Sequence, residues 1–157
     1  MIEYIKICRI DHWLKNTFIL FGHVVALVLY YDLDLPPGFL LNAFLSLLPA
    51  CLVASSYYIL NEILDAPFDA LHPVKKMRGI PAGKVNVPIL WVLMTALLAG
   101  GFALAWLFFD NHLYLVSLGV LMLFALLYNI PPVRLKDKAF LDVISESINN
   151  PLRLLLG

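Results

Sequence analysis

Four long runs of the chain, at residues 15–31, 39–60, 87–109 and 113–128, carry no charged side chain apart from Lys15 at the edge of the first. About 20 apolar residues are what an α-helix needs to cross a ~30 Å hydrocarbon core. In lipid every backbone N–H and C=O has to be paired inside the protein, and a continuous apolar run of this length does so as a helix. Composition agrees: 62% of the residues are hydrophobic and the mean hydropathy is +0.86, against the ~45–50% apolar usage of soluble domains. The expected fold class is therefore all-α, a polytopic transmembrane helical bundle. Net charge is zero, and no nucleic-acid partner is expected; the first partner is the lipid bilayer.

The placement of charge is more informative than its sum. Of eleven Lys and Arg, three precede or open the first run (Lys6, Arg9, Lys15), four lie in 61–85, three lie in 132–138, and one is Arg153. The connections near Asp32–Pro37 and Asp110–His112 hold none. Basic residues concentrate on the cytoplasmic side of membrane proteins, which puts the N-terminus and both basic loops there. Cys8 and Cys51 fall at different depths, and a reducing cytoplasm disfavours a disulfide. The opening Ile-Glu-Tyr-Ile-Lys lacks a basic leader and a small-residue cleavage site, so no cleaved signal is expected.

Along the chain, residues 1–14 read as an interfacial lead-in with Trp13 at headgroup level, and 1–157 as one transmembrane domain. Pro49 lies inside the second run, where neighbouring helices can satisfy the freed carbonyl, and Gly100-Gly101 in the third allows close helix approach. Paired prolines after Asn129 end the fourth run. A fifth helix opens near Ala139 and carries Asp142, Glu146, Asn149 and Arg153 at i, i+4, i+7 and i+11, within about 60° of one face. Ionisable groups at membrane depth normally face a cavity or one another. That face is expected to line an interior site, the alternatives being an amphipathic cytoplasmic segment or a structural Arg–Glu pair. With the chain stopping in mid-helix at Gly157, the expectation is about five spans, the front part of a larger bundle.

Residues 61–85 carry the densest chemistry. Glu62, Asp65 and Asp69 are followed by Lys75, Lys76, Arg78 and Lys84 directly after an apolar run. Carboxylates at i and i+4 are hard oxygen ligands suited to Mg²⁺, and the cations that follow can offset the remaining charge of a diphosphate. The competing reading is a solvated acidic loop with topological cations, which is the reading favoured for Lys76. His72 has no His or Cys partner at zinc spacing and reads as a loop hydrogen-bonding residue. His12, His23 and His112 form no constellation. Tyr57, Tyr58, Phe102, Trp106, Phe108 and Phe109 read as lipid-facing or belt aromatics by default, and as a channel lining otherwise.

These residues resemble the UbiA superfamily of intramembrane prenyltransferases, whose first acidic motif has the form Asn-Asp-x-x-Asp-x-x-x-Asp. Asn61, Asp65 and Asp69 match it, Glu62 stands where the family has Asp, and Pro67 interrupts it. Three further stretches resemble the branch containing decaprenyl-phosphate phosphoribosyltransferase. Trp13, Lys15 and Asn16 match its Pro-x-Gln-Trp-x-Lys-Asn opening. His72-Pro-x-Lys75-x-x-Arg78 matches His-Pro-x-Lys-x-x-Arg-Pro, with Gly79 replacing the last Pro. Tyr128, Leu135-Lys136 and Leu141-Asp142-Val143 match the stretch after span four, and Arg153 falls where that branch has an arginine.

The resemblance implies a bundle of about nine spans, with a second acidic motif beyond Gly157, in a prokaryotic inner membrane. It implies a transferase in which Asp65, Asp69 and Asn61 hold Mg²⁺ on a diphosphate donor. Lys15, Asn16, Lys75, Arg78, Lys136, Tyr128, Asp142 and Arg153 would bind the diphosphate donor and an isoprenoid lipid substrate. Phosphoribosyl transfer to polyprenyl phosphate and prenyl transfer to an aromatic acceptor both remain open. So do a transporter pathway along the fifth helix and a non-catalytic scaffold.

Overall fold

The computed structural model describes residues 2–110 and 112–157, without the side chain of Glu146. A short helix α1 (Ile2–Ile7) leads into a 3₁₀ stretch (Ile10–Thr17), which runs straight into α2 (Phe18–Tyr30). Then come α3 (Phe39–Asp69), α4 (Val87–Phe108), α5 (His112–Asn129) and α6 (Leu141–Leu154). Among the described residues there is no strand, and four segments are long and apolar enough to cross a membrane: Ile2–Tyr30, Phe39–Asp69, Val87–Phe108 and His112–Asn129. The 14 residues of α6 reach only about 21 Å at 1.5 Å per residue.

The first span is not uniformly α-helical. Thirteen α-helical residues cover only about 20 Å, and the 3₁₀ stretch below them supplies the remaining height. That stretch turns off α1 at Arg9, which adopts a left-handed backbone with φ 47°. Within that stretch the Trp13 indole Nε1 donates to Ser55 Oγ of α3 at 2.9 Å, and Ser55 donates to the Cys8 carbonyl at 2.8 Å. The polar tip of the indole has a hydrogen-bond partner inside the protein, and that partner decides its position.

The axis of the bundle is α3. Its buried face is made of small residues, among them Ala43, Ser46, Ala50, Ala54, Ser55 and Ser56, which let neighbouring helices come close. The Ser46 and Ser56 hydroxyls return to Ala43 and Val53 carbonyls of the same helix. Around this axis one apolar cluster joins Ile19, Val53, Ala105, Leu118 and Leu121, and another, nearer the N-terminus, joins Ile7, Ile59, Leu60, Leu90 and Met94. Exposed Val24, Val28, Leu40, Phe44, Val92 and Leu107 present the outer face that lipid or further helices cover.

Of the glycine pair in α4 it is Gly101 that permits contact with α3. A Cβ there would lie 2.8 Å from Val53 Cγ2 and 3.0 Å from the Pro49 carbonyl oxygen. Gly101→Ala is expected to cost about 1–3 kcal/mol through overpacking. Gly119→Ala, which meets nothing within 4 Å, is its control; thermal unfolding in detergent distinguishes them, and equal melting temperatures would refute the close-approach role.

The sequence pattern suggests that the second span stops near Leu60 and that a loop begins there. Instead α3 continues through Pro67 to Asp69. Its 31 residues extend about 46 Å, well past a ~30 Å core. Pro67 lacks the N–H that would bond to the Ile63 carbonyl, but it sits in the last turns, where water can satisfy that group. Asn61, Asp65 and Asp69 thus lie at i, i+4 and i+8 on one rigid helix, about 40° apart per step. The Asn86 N–H donates to the Tyr4 hydroxyl and Lys136 Nζ donates to Asn61 and Asp65. These contacts gather α1, the 70–86 connection and the 130–140 connection at one end, the basic end.

Candidate active site

At the basic end each motif aspartate is held by cations from a different connection. Asp65 accepts from Lys136 Nζ at 2.5 Å and from Arg134 Nη2 at 2.9 Å. Lys136 also donates to Asn61 Oδ1 at 2.7 Å and Asn129 Oδ1 at 3.1 Å, so the ammonium is saturated by three oxygen acceptors. Arg134 lies over the Phe68 ring, its guanidinium carbon 4.5 Å from the centroid. Its Nε is 2.8 Å from Asp137 Oδ2, an ion pair by distance without the alignment of a hydrogen bond. Asp69, one turn further along α3, accepts from Arg78 Nη1 at 2.7 Å, with Lys75 Nζ 3.9 Å away. Glu62 is buried beside this row, and no hydrogen bond reaches its carboxylate among the described residues.

Below the row lies a cavity of about 400 Å³ bounded by the 3₁₀ stretch, α3, α5 and α6. Asn61 lines it, so the first motif residue connects the two regions. Arg9, Lys15 and Arg153 bring three cations to its wall, and the described residues that line it include no carboxylate. Asn129, Asn149 and Asn150 add amides, and Tyr57, Tyr58 and Tyr128 add phenols. Arg153 is 3% exposed; its Nε donates to Asn16 Oδ1 at 2.9 Å and its Nη1 to Asn150 Oδ1 at 3.3 Å. Asn16 in turn donates to Cys51 Sγ at 3.2 Å. The side chain of α6's first acid points elsewhere: Asp142 Oδ1 accepts from the Tyr128 hydroxyl at 2.7 Å.

The structure therefore divides the sequence-derived site residues into groups. Asn61, Asp65 and Lys136 form one network, and Asp69, Lys75 and Arg78 another. Lys15, Tyr128 and Arg153 meet in the cavity, with Asn16 behind Arg153. Pro151 does not turn Arg153 away, since Asn149 and Arg153 line the same wall. The Glu146 side chain lies outside the described residues. Tyr57 and Tyr58 face the cavity rather than lipid, whereas Trp106 is 65% exposed on the outside. His72 Nδ1 accepts the Val74 and Lys75 N–H groups, which fixes the turn carrying Lys75. Lys84 donates to the Met77 carbonyl and braces the same loop.

Sequence reasoning missed Arg134, Asn129 and Asn150. In a basic loop Arg134 has the same signature as any topological cation. Asn129 looked like a helix terminator, and Asn150 is one residue off the periodic row.

Would a metal fit? Among the described residues no three His, Cys, Asp or Glu side chains converge into a ready cage. Two carboxylates and an amide oxygen on one helix do suit Mg²⁺, which keeps several waters and takes one or two carboxylates together with phosphate oxygens. The donor set fits a metal that arrives on a diphosphate better than a metal held by protein alone.

The profile of the UbiA prenyltransferase family matches residues 18–150. The chain belongs to the UbiA prenyltransferase family. The chain is 26% identical over 153 residues to the decaprenyl-phosphate phosphoribosyltransferase of Mycolicibacterium smegmatis, an alignment covering 98% of this chain and 46% of the relative. It is 32% identical over 99 residues to the nodulation protein NoeC of Azorhizobium caulinodans, covering 62% of this chain and 30% of NoeC. The fold of this UbiA-family chain matches a UbiA homolog from Archaeoglobus fulgidus bound to DMAPP and Mg²⁺, with a TM-score of 0.80. That match has 22% identity and covers 98% of this chain and 52% of that one; at such identity the likeness is one of fold. The chain spans less than half the length of the curated relatives it matches.

Proposed function

We propose that the protein is an intramembrane transferase that takes a diphosphate-bearing donor at the α3 acidic row and an anionic acceptor in the adjoining cavity. The observation that carries this reading is the separation of charge. Asp65 and Asp69 occupy the basic end, while Arg9, Lys15 and Arg153 line the adjoining cavity. Two negatively charged reactants need two differently built sites. A phosphoribosyl diphosphate donor with a polyprenyl phosphate acceptor fits that requirement. The 26% identity to a decaprenyl-phosphate phosphoribosyltransferase supports the same choice. Prenyl transfer to an aromatic acceptor is the second reading, favoured by the tyrosine-rich wall of the cavity.

In this mechanism Asp65, Asp69 and Asn61 would hold Mg²⁺, and the metal would supply charge neutralisation for a diphosphate leaving group. Arg78 and Lys75 grip phosphate oxygens from the 70–86 connection, and Lys136, kept on its three oxygen acceptors, adds positive charge beside the diphosphate from 130–140. Arg153, fixed by Asn16 and Asn150, orients the acceptor anion toward Asn61 and the donor carbon. The work is positioning and electrostatic stabilisation, so no activated nucleophile on the protein is required. The reactive face opens to the cytoplasm, and the isoprenoid tail lies among the helices.

The test is binding of phosphoribosyl diphosphate and of a prenyl diphosphate to the protein in nanodiscs, each with and without Mg²⁺. Mg²⁺-dependent binding of the sugar donor, at least about tenfold tighter than the prenyl donor, is the expected result; 1.4 kcal/mol of selectivity suffices for that ratio. Preference for the prenyl diphosphate would establish the second reading, and binding of neither would sink both.

A further inference from the structure

The carboxylate most central to the acidic row, Asp65, is already neutralised by two largely buried cations, and those two cations are not equivalent. Lys136 is 11% exposed and spread over three oxygens. Arg134, 13% exposed, shows three signs of being the exchangeable partner. Its backbone is left-handed, with φ 30°, a conformation that non-glycine residues hold only when their surroundings impose it. Its Nε is buried without an aligned acceptor. Its planar group rests on Phe68, the penultimate residue of α3, a sliding contact rather than a fixed hydrogen bond.

Resting on the functional reading above, we propose that Arg134 is an internal counter-ion for Asp65, which gives up the carboxylate when a diphosphate arrives and transfers its fork to phosphate oxygens. A divalent cation approaching Asp65 alone meets two positive charges within hydrogen-bond distance of the same oxygen, and like charges disfavour it. A diphosphate supplies Arg134 with a new bidentate partner and frees the carboxylate for the metal. Metal and diphosphate therefore bind with positive coupling, and Arg134 sets the size of that coupling. It acts as a positioning residue through Asp65. Asp137, whose carboxylate lies 2.8 Å from Arg134 Nε, holds the guanidinium in the resting arrangement.

The experiment titrates Mn²⁺ into the protein in nanodiscs by loss of the free-ion EPR signal, with and without inorganic diphosphate, corrected by a protein-free diphosphate titration. The wild-type protein is expected to bind Mn²⁺ at least about tenfold more tightly with diphosphate than without. In Arg134→Gln, Mn²⁺ affinity without diphosphate rises about three- to tenfold while affinity with diphosphate stays put, so the enhancement by diphosphate shrinks by the same factor, and by reciprocity Mn²⁺ enhances diphosphate binding that much less. Arg134→Lys, which keeps the charge, moves back toward wild type. Asp137→Asn weakens the resting arrangement with Arg134 intact and shifts both numbers in the direction of Arg134→Gln. An unchanged or lowered Mn²⁺ affinity in Arg134→Gln overturns the proposal. Should that variant fail to fold, equal Mn²⁺ affinity of the wild type with and without diphosphate overturns it instead, leaving the transferase reading intact. No Mn²⁺ binding under either condition overturns both.

Discussion

Asp65→Ala and Asp69→Ala are each expected to reduce transfer by a factor of about 10²–10³ or more, the usual consequence of removing one preorganised electrostatic contact. Their effects on stability, by contrast, should differ. Removing the Asp65 carboxylate leaves Arg134 and Lys136, 13% and 11% exposed, facing each other without their shared anion. Breaking a buried pair from one side costs about 3–5 kcal/mol. Asp69 is itself buried, but its partners Arg78 and Lys75 are 34% and 48% exposed and can turn to water. Loss of such a pair costs about 1 kcal/mol or less. Asp65→Asn, which keeps an oxygen acceptor for Lys136, falls between them in stability and stays inactive. Denaturant unfolding in detergent alongside a transfer assay checks this. Equal destabilisation of the two alanine variants would show that the second connection does not bury the Asp65 network. Retained transfer in both would end the metal role.

That asymmetry was only half legible in the sequence. The row Asn61, Asp65, Asp69 and the cations after it could be read directly, although the spacing alone left a solvated acidic loop as the competing reading and the motif resemblance decided between them. The rigidity of the row could not, because Pro67 signals a break wherever a helix lies in the bilayer or a core. At the last turns of a helix about 46 Å long that penalty fades, and only the depth of α3 in the bundle shows where those turns are. Arg134 was invisible for a different reason. The rule that places basic residues in cytoplasmic loops assigns them all the same explanation, and only a contact to Asp65 separates a ligand from an anchor.

The periodic face of α6 fared better, because a strict helical spacing of polar residues inside an apolar chain leaves little freedom. Asn149 and Arg153 do reach one cavity, although Asp142 is taken up by Tyr128. The helix ends in close contact with α2. A Cβ on Gly22 would collide with the Leu154 carbonyl oxygen, so Arg153 is held at a fixed height against Asn16 by backbone packing as well as by its own hydrogen bond.

Arg153→Met is expected to weaken binding of the anionic acceptor about 10- to 100-fold, the value of a charge-assisted hydrogen bond of about 1.5–3 kcal/mol, while changing stability little. Two effects on the fold oppose each other. Asn16 Oδ1 loses its donor, at a cost of about 1–3 kcal/mol. A guanidinium 3% exposed is also removed from an interior where apolar replacement of buried charge often gains about 1–4 kcal/mol. Methionine fills a similar length without branching, so no large cavity opens. Diphosphate-dependent Mn²⁺ affinity should not move, because Arg153 belongs to the cavity and makes no contact with Asp65 or Asp69 among the described hydrogen bonds and ion pairs. Arg153→Lys keeps the charge but not the fork, and should recover part of the acceptor affinity. Acceptor titration, unfolding and the Mn²⁺ measurement on the same three proteins distinguish the possibilities. A large loss of stability with acceptor binding unchanged would make Arg153 a structural brace between α6 and the 3₁₀ stretch and would move the acceptor anion to Arg9 and Lys15.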